Sequence, residues 1–232
     1  MKKFLVLIPR KVWCLVTLSL LIFASTAFAD TIDFEAGFVD LQAVGAVNTA
    51  TNTVTFSVGM AAPTGSAFIA AVGPPTTSFV PTDSPAGGAG GSFFLTDETM
   101  GPATMLNYFL SFAQPVLNLS LDLFDYRVDG GPAIGDTATL NVFSDAARTM
   151  LVGTSTFTIP SPNPMDGNLA NLSVQNPSSP ILAASLTFST GDVGTGIDNI
   201  TFSTVPEPGT VLLFGSGLAG LGLWRWRKGK AA

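Results

Sequence analysis

The chain contains no histidine, and its single cysteine, Cys14, lies in an apolar stretch near the N-terminus. Between Asp30 and Thr204 there is no cysteine, no tryptophan and no lysine, and the only cations are Arg127 and Arg148. Each absence excludes a chemistry. Without histidine there is no Ser-His-Asp triad, no Cys-His pair and no imidazole ligand for a transition metal. Without thiols this region has no disulfide, no thiolate metal site and no cysteine nucleophile. Fifteen acidic residues against two arginines leave it at a net charge of −13. Such a surface repels nucleic acid and anionic lipid, because phosphate binding needs Lys or Arg to displace counterions. No G-x-S-x-G motif and no P-loop is present, and no dinucleotide fingerprint follows a strand.

The other eight basic residues sit at the two ends. Lys2, Lys3, Arg10 and Lys11 precede an apolar run from Val12 to Ala24, and Ala27-Phe28-Ala29 has the small-x-small pattern of a cleavage site. Residues 1–29 therefore read as a secretory signal peptide, handled by the Sec machinery and signal peptidase and cut before Asp30. At the other end, Thr210 to Trp224 is a run of fifteen uncharged residues, followed by Arg225, Arg227, Lys228 and Lys230. As a helix this run spans about 22 Å at 1.5 Å per residue, short of a hydrocarbon core of about 30 Å. Trp224 and Trp226 would sit at the interface, and the basic residues would stay cytoplasmic, which predicts a single transmembrane helix with residues 30–204 outside. Gly215/Ala219 and Ser216/Gly220 have small-xxx-small spacing. Pro206 and Pro208 restrict the backbone and lack amide hydrogens, so the stretch before the helix is expected to be extended and accessible.

Residues 30–204 alternate short apolar-polar runs with Gly, Pro, Asn and Asp clusters, and helical periodicity is missing. In "LNLSLDLF" (Leu117 to Phe124) four leucines take one face, with Asn118, Ser120 and Asp122 on the other. Further strands are predicted at 31–35, 53–58, 108–112, 137–143, 151–159, 169–174, 182–188 and 199–202. The spacing predicts an all-β domain, an antiparallel, jelly-roll-like β-sandwich. Residues 73–91 and 161–168 read as loops, and 125–136 as a hairpin with an extended loop around Asp129-Gly130-Gly131.

The tail carries a family resemblance. Val205-Pro206-Glu207-Pro208, then the apolar run, then Arg225-Trp226-Arg227-Lys228, resembles the PEP-CTERM sorting signal of Gram-negative bacteria in order and spacing. The resemblance covers about 25 residues. It implies recognition by an exosortase, a membrane-embedded cysteine transpeptidase, with removal of the tail near Pro206-Glu207-Pro208. It also implies a transient inner-membrane anchor, then a cell-surface or extracellular location in a bacterium that makes exopolysaccharide and builds biofilms.

Catalysis in residues 30–204 would have to come from carboxylates alone. A glycan hydrolase needs two, with their pKa values driven apart, and Asp122, Asp125 and Asp129 are the nearest candidates. A calcium site is a second use of the same chemistry, since hard cations take carboxylate and carbonyl oxygens. Asp33 and Glu35 stand in the first strand ("DFE") and Asp198 in the last ("GIDNITF"), and terminal strands of antiparallel sandwiches can be neighbours. The pattern resembles jelly-roll carbohydrate-binding modules, where a structural Ca2+ is held between equivalent segments. That resemblance implies Glu35 and Asp198 as metal ligands, with Asp33 behind them. For sugar binding, which uses exposed aromatics, Phe38, Phe79 and Tyr126 are available, and Tyr126 beside Arg127 is the best small patch. The expectation is thus an exported, non-enzymatic surface or matrix protein associated with exopolysaccharide. A calcium-dependent carbohydrate-binding module and a carboxylate-based hydrolase are the alternatives. Asn118, Asn171 and Asn199 head N-x-S/T triplets that decide nothing, since such triplets are common in a chain rich in Asn and Thr.

Overall fold

Among the described residues, alternation of apolar and hydroxyl residues becomes twelve antiparallel strands. The computed structural model describes residues 29–71, 92–96, 106–124, 135–160, 169–189 and 195–204, together with two helical positions, Gly217 and Gly220. The strands are β1 (Ala29–Ile32), β2 (Ala43–Val44), β3 (Ala46–Asn48), β4 (Thr53–Gly59), β5 (Ala67–Ala71), β6 (Phe93–Thr96) and β7 (Asn107–Phe124). They continue as β8 (Thr137–Phe143), β9 (Leu151–Thr158), β10 (Leu169–Val174), β11 (Ile181–Phe188) and β12 (Gly196–Thr204). All belong to one compact unit, Phe28–Val205. Among its described residues there is no helix. The apolar run 210–224 lies almost wholly outside the described residues, and among those that are described no helix is long and apolar enough to cross a membrane.

One strand organises the rest. β7 has 18 residues, and its two halves have different neighbours. Residues 107–112 pair with β4, and the same half pairs with β11. Residues 116–124 pair with β12, and 119–124 with β10. The first layer runs β3-β4-β7-β11-β8-β9. The second places β10, β7 and β12 side by side, with β1 on the far side of β12 along 200–203 and β6 along 196–197, continuing to β5 and β2. The sequence pattern predicts two strands, 108–112 and 117–124. The chain instead passes through Pro115 as a single strand that changes layers, as strands do at the corners of a sandwich.

Pro115 has no N–H to give a ladder, and the corner is where none is needed. Asn52, buried in the turn before β4, takes over the pairing there. Its Nδ2 donates to the Gln114 carbonyl at 2.8 Å, and its Oδ1 accepts from Gln114 N–H and Thr53 N–H, each at 2.9 Å. A side-chain amide thereby acts as one more peptide group of the sheet. The Asn52 main-chain carbonyl accepts from Thr49 N–H and the Thr49 hydroxyl, which closes the turn.

The core lies between the layers. Val54, Phe56 and Val58 of β4, Leu110 and Phe112 of β7 and Leu140 and Val142 of β8 meet Leu119, Leu121 and Leu123 of β7, Leu172 of β10 and Ile200 and Phe202 of β12. Full burial of each such side chain contributes about 1.5–3 kcal/mol, which is what stabilises a domain of this size without disulfides. Aromatic pairs cross the gap edge-on, Phe34 to Phe56 at 5.7 Å and Phe112 to Phe202 at 5.3 Å between centroids. Tyr108, fully buried, donates its hydroxyl to the Thr195 carbonyl at 2.6 Å, joining β7 to the start of β12.

The expected first strand, 31–35, is shorter than its pattern. Phe34 adopts φ +54°, turning the chain after Ile32 so that its ring enters the core. Four short strands are invisible to alternation. In β5 the sequence AFIAA is buried at alternate and at adjacent positions, so no polar face marks it. The expected loops 73–91 and 161–168 and the hairpin tip 125–134 lie outside the described residues.

Replacing Asn52 by Ala removes three hydrogen bonds at the corner and should destabilise the domain by about 2–3 kcal/mol in urea unfolding. Asn52→Asp keeps the acceptor and loses the donor, so its loss should be smaller.

Candidate functional site

The site begins with a slip in a ladder. Asp198 of β12 stands opposite Asp122 of β7, but the next pair is Thr201 with Ser120, so β12 carries one extra residue. The bulge places Asn199 at φ +48°, a conformation Asn tolerates better than most side chains. From there Asn199 Nδ2 donates to Asp122 Oδ2 at 3.1 Å, while Asn171 Nδ2 of β10 donates to Asp122 Oδ1 at 2.8 Å. Both oxygens of Asp122 are thus held by amides from the neighbouring strands.

Asp198 is the anomaly. It is 1% exposed, and among the described residues its Oδ1 has no hydrogen-bond partner. Burial pushes its carboxyl up to about 8. The Asn199 backbone amide opposes that rise, and the charges of Glu35, Asp33 and Asp122 add to it. Asp33 and Glu35 reach this neighbourhood through the turn after β1. Asp33 Oδ1 accepts from Glu35 N–H at 3.2 Å, and Glu35 Oε1 accepts from Ser92 N–H at 2.6 Å and Phe93 N–H at 3.0 Å.

The three residues nominated for a metal, Glu35, Asp198 and Asp33, therefore share one electrostatic neighbourhood, and Asp122 joins them. Two details differ from the sequence expectation. Asp33 and Glu35 lie beyond the end of β1, because Phe34 turns the chain out of the strand. Among the described residues no three acidic side chains converge closely enough to enclose a cation by themselves.

Asp30 carries no signal in the sequence beyond its position after the cleavage pattern. It faces inward on β1, and its Oδ2 accepts from the Thr51 hydroxyl at 2.6 Å, Thr51 N–H at 3.1 Å and the Thr49 hydroxyl. Burial raises its carboxyl, but the Thr49 and Thr51 donors outweigh that and the net shift is downward. The bond fastens the edge of one layer to the turn before β4 in the other, beside an open groove of about 350 Å³ between β1 and Val47–Ala50. Ala29, expected as the last residue of the signal, is the first residue of β1 and lies opposite Ser203.

Arg148 is the only cation among the described residues. At φ +60° in the β8–β9 connection, it donates from Nη2 to the Leu110 carbonyl at 3.2 Å and the Ser111 hydroxyl at 2.9 Å, and from Nε to the Ala184 carbonyl at 3.4 Å. Its guanidinium also lies 5.1 Å from the centre of the Phe109 ring. Of the aromatics considered for sugar stacking, Phe38 is half-buried and packs edge-on against Phe34 at 5.6 Å. Phe79, Tyr126, Arg127, Asp125 and Asp129 lie outside the described residues, as do Ala27, Pro206, Glu207, Pro208, Arg225, Arg227 and Lys228.

The fold and the chain ends together define an antiparallel β-sandwich followed by a sorting signal. Residues 204–228 match the PEP-CTERM protein-sorting motif, which implies an exported protein processed by an exosortase. No curated protein matches the chain. Among solved structures, a DUF4465 family protein from Bacteroides caccae is 11% identical with a TM-score of 0.44, over 77% of this chain and 100% of that one. The enzymatically active domain of bacteriophage CBA120 tailspike protein 4 is 18% identical with a TM-score of 0.32, over 66% of this chain and 19% of that one. The K1 cleaved adhesin domain of Lys-gingipain from Porphyromonas gingivalis is 12% identical with a TM-score of 0.30, over 78% of this chain and 99% of that one. Similarity at this level carries nothing about ligand or activity.

The buried carboxyl makes stability depend on pH. Between 3.8, the ordinary value, and about 8, the native state holds a proton on Asp198 that the unfolded chain has released. Stability should therefore fall as pH rises through that window and level off above it. Urea unfolding from pH 4 to 9 reads this directly, and Asp198→Asn should flatten the decline.

Proposed function

We propose that the chain is an exported, non-enzymatic surface or extracellular-matrix protein, released from its tail at Pro206-Glu207-Pro208 by an exosortase and associated with exopolysaccharide in a biofilm. The observation that carries this reading is the junction at Thr204. The last residue of β12 is also the first residue of the sorting motif. β12 is gripped on both sides, by β7 on one and by β1 and β6 on the other, and removal of everything beyond it leaves the ladder whole. Residues 1–29 serve as the Sec signal, and the tail holds the chain transiently in the inner membrane of a Gram-negative bacterium.

A non-enzymatic role agrees with the state of the carboxylates. Asp198 has the raised pKa of a general acid but is 1% exposed, out of reach of a substrate. Asp122 is occupied by two amides.

A second reading, a structural calcium ion and with it a calcium-dependent carbohydrate-binding module, is favoured by one observation, the unpartnered Oδ1 of Asp198. An isolated buried carboxylate in the field of three others needs either a proton or a cation. Asp198 and Glu35 would hold a hard cation, with Asp33 behind them and carbonyl oxygens completing its shell, since no three of the described carboxylates converge. Bound calcium would supply fixed positive charge and tie the turn after β1 to β12.

Intact mass of the protein from its native host, with inner membrane, outer surface and medium separated, tests the first reading. A species from Asp30 to near Pro208 outside the inner membrane is expected, and a chain running to Ala232 in the inner membrane would overturn it. For the second, calcium should raise the thermal midpoint more at pH 8 than at pH 5, because below pH 8 it must displace a proton. Asp198→Asn should abolish the shift, and an unresponsive wild-type chain at both pH values removes the calcium reading.

A further inference from the structure

We infer that the outer face of the second layer, spanning β1, β12, β7 and β10, is a binding face for an extended, uncharged polysaccharide chain. The inference rests on the association with exopolysaccharide proposed above and names the surface and the ligand class.

Strand register assembles this face from residues far apart in sequence. Thr31 of β1 lies opposite Thr201 of β12, Thr201 opposite Ser120 of β7, and Ser120 opposite Ser173 of β10. The neighbours Ile32, Phe202, Leu121 and Leu172 are buried, so alternation sends all four hydroxyls outward. With strands about 4.8 Å apart, the row is about 14 Å long, and its repeat is close to the length of one sugar ring. Ser203 and Asn118 form a parallel row on one side; on the other side Asp122 lies opposite Asn171 and the buried Asp198, and Asn199 reaches Asp122 from the bulge.

These side chains are already ordered. Thr31 and Thr201 share a hydrogen bond at 3.2 Å, Asn118 donates to Ser203 at 3.1 Å, Asn171 to Ser120 at 3.0 Å, and Gln175 to Ser173 at 2.7 Å. A hydroxyl has one donor and two acceptor positions, so each retains capacity for a ligand. Because the rotamers are set before binding, little entropy remains to be lost.

The chemistry selects the ligand. Protein surfaces usually mix charges of both signs, but these rows carry no cation; their carboxylates are Asp122, tied to two amides, and Asp198 beside it, which is buried. Sugar hydroxyls both donate and accept, as the hydroxyls and amides of the face do. A polyanion finds no cation on it and meets a domain of net charge −13. The outer face of the first layer is less open. There Arg148 lies across Phe109, 5% exposed, and Ser185 is buried as well.

The test is affinity electrophoresis of the processed chain in gels containing a soluble neutral glucan or an acidic polyuronate. Retardation by the glucan and not by the polyuronate is expected. Ser120→Lys at the centre of the row should weaken glucan binding at least tenfold, the shape-conserving Thr201→Val severalfold, and Thr156→Lys on the opposite face should change nothing. Glucan binding that survives Ser120→Lys and Thr201→Val, or that falls equally in Thr156→Lys, overturns the face and leaves the association standing. Absence of retardation by either polymer overturns both.

Discussion

The sandwich depends on one change of direction, the passage of β7 through Gln114 and Pro115. A strand of 18 residues is about three times the usual five or six, and a flat sheet that long would leave half its apolar positions facing water. Turning at the corner lets Leu110 and Phe112 face Leu119, Leu121 and Leu123 across the same core. The turn leaves a backbone N–H and a carbonyl without a strand partner, and the Asn52 amide satisfies both. β4 and β11 are placed by the first half, β12 and β10 by the second. Every other strand is positioned relative to these.

The second consequence is the pairing of β1 with β12. Among the described residues β12 is the last strand and β1 the first, and they pair from Ala29 opposite Ser203 to Ile32 opposite Ile200. The domain therefore cannot close until its final residues are in place, and the N-terminal edge is then fastened by the Asp30 bond to Thr51. The same pairing brings Asp33 and Glu35 into the field of Asp198. Four carboxylates from three chain segments share one neighbourhood because β1 and β12 share one sheet, and burial of one of them makes that neighbourhood responsive to protons.

Charge explains much of the surface. With Arg148 committed to Leu110, Ser111 and Ala184, no described cation is available to a partner. Among the described residues, hydroxyls, amides and carboxylates are what the surface offers a partner. The N-x-S/T triplets belong to that surface, since Asn118, Asn171 and Asn199 each donate across strands to Ser203, to Ser120 and Asp122, and to Asp122.

Residue pattern alone specified the all-β class, the inward leucines at 119, 121 and 123, and the sorting motif. These depend on local facts: a period of two, turn residues between runs, and a proline motif before an apolar stretch. It also brought Glu35 and Asp33 together with Asp198, through the expectation that terminal strands are neighbours. It could not show that Pro115 lies within a strand, because a proline reads as a break unless the missing hydrogen bond is supplied from a distant residue such as Asn52. Nor could it show that Asp122 joins Asp198, or that Asp198 has an oxygen without a partner. Both follow from the register of β7 against β12 and from one extra residue at Asn199. Tertiary structure decided those points because register and burial are relations between segments 76 residues apart, set by how the layers pack and carried by no local pattern.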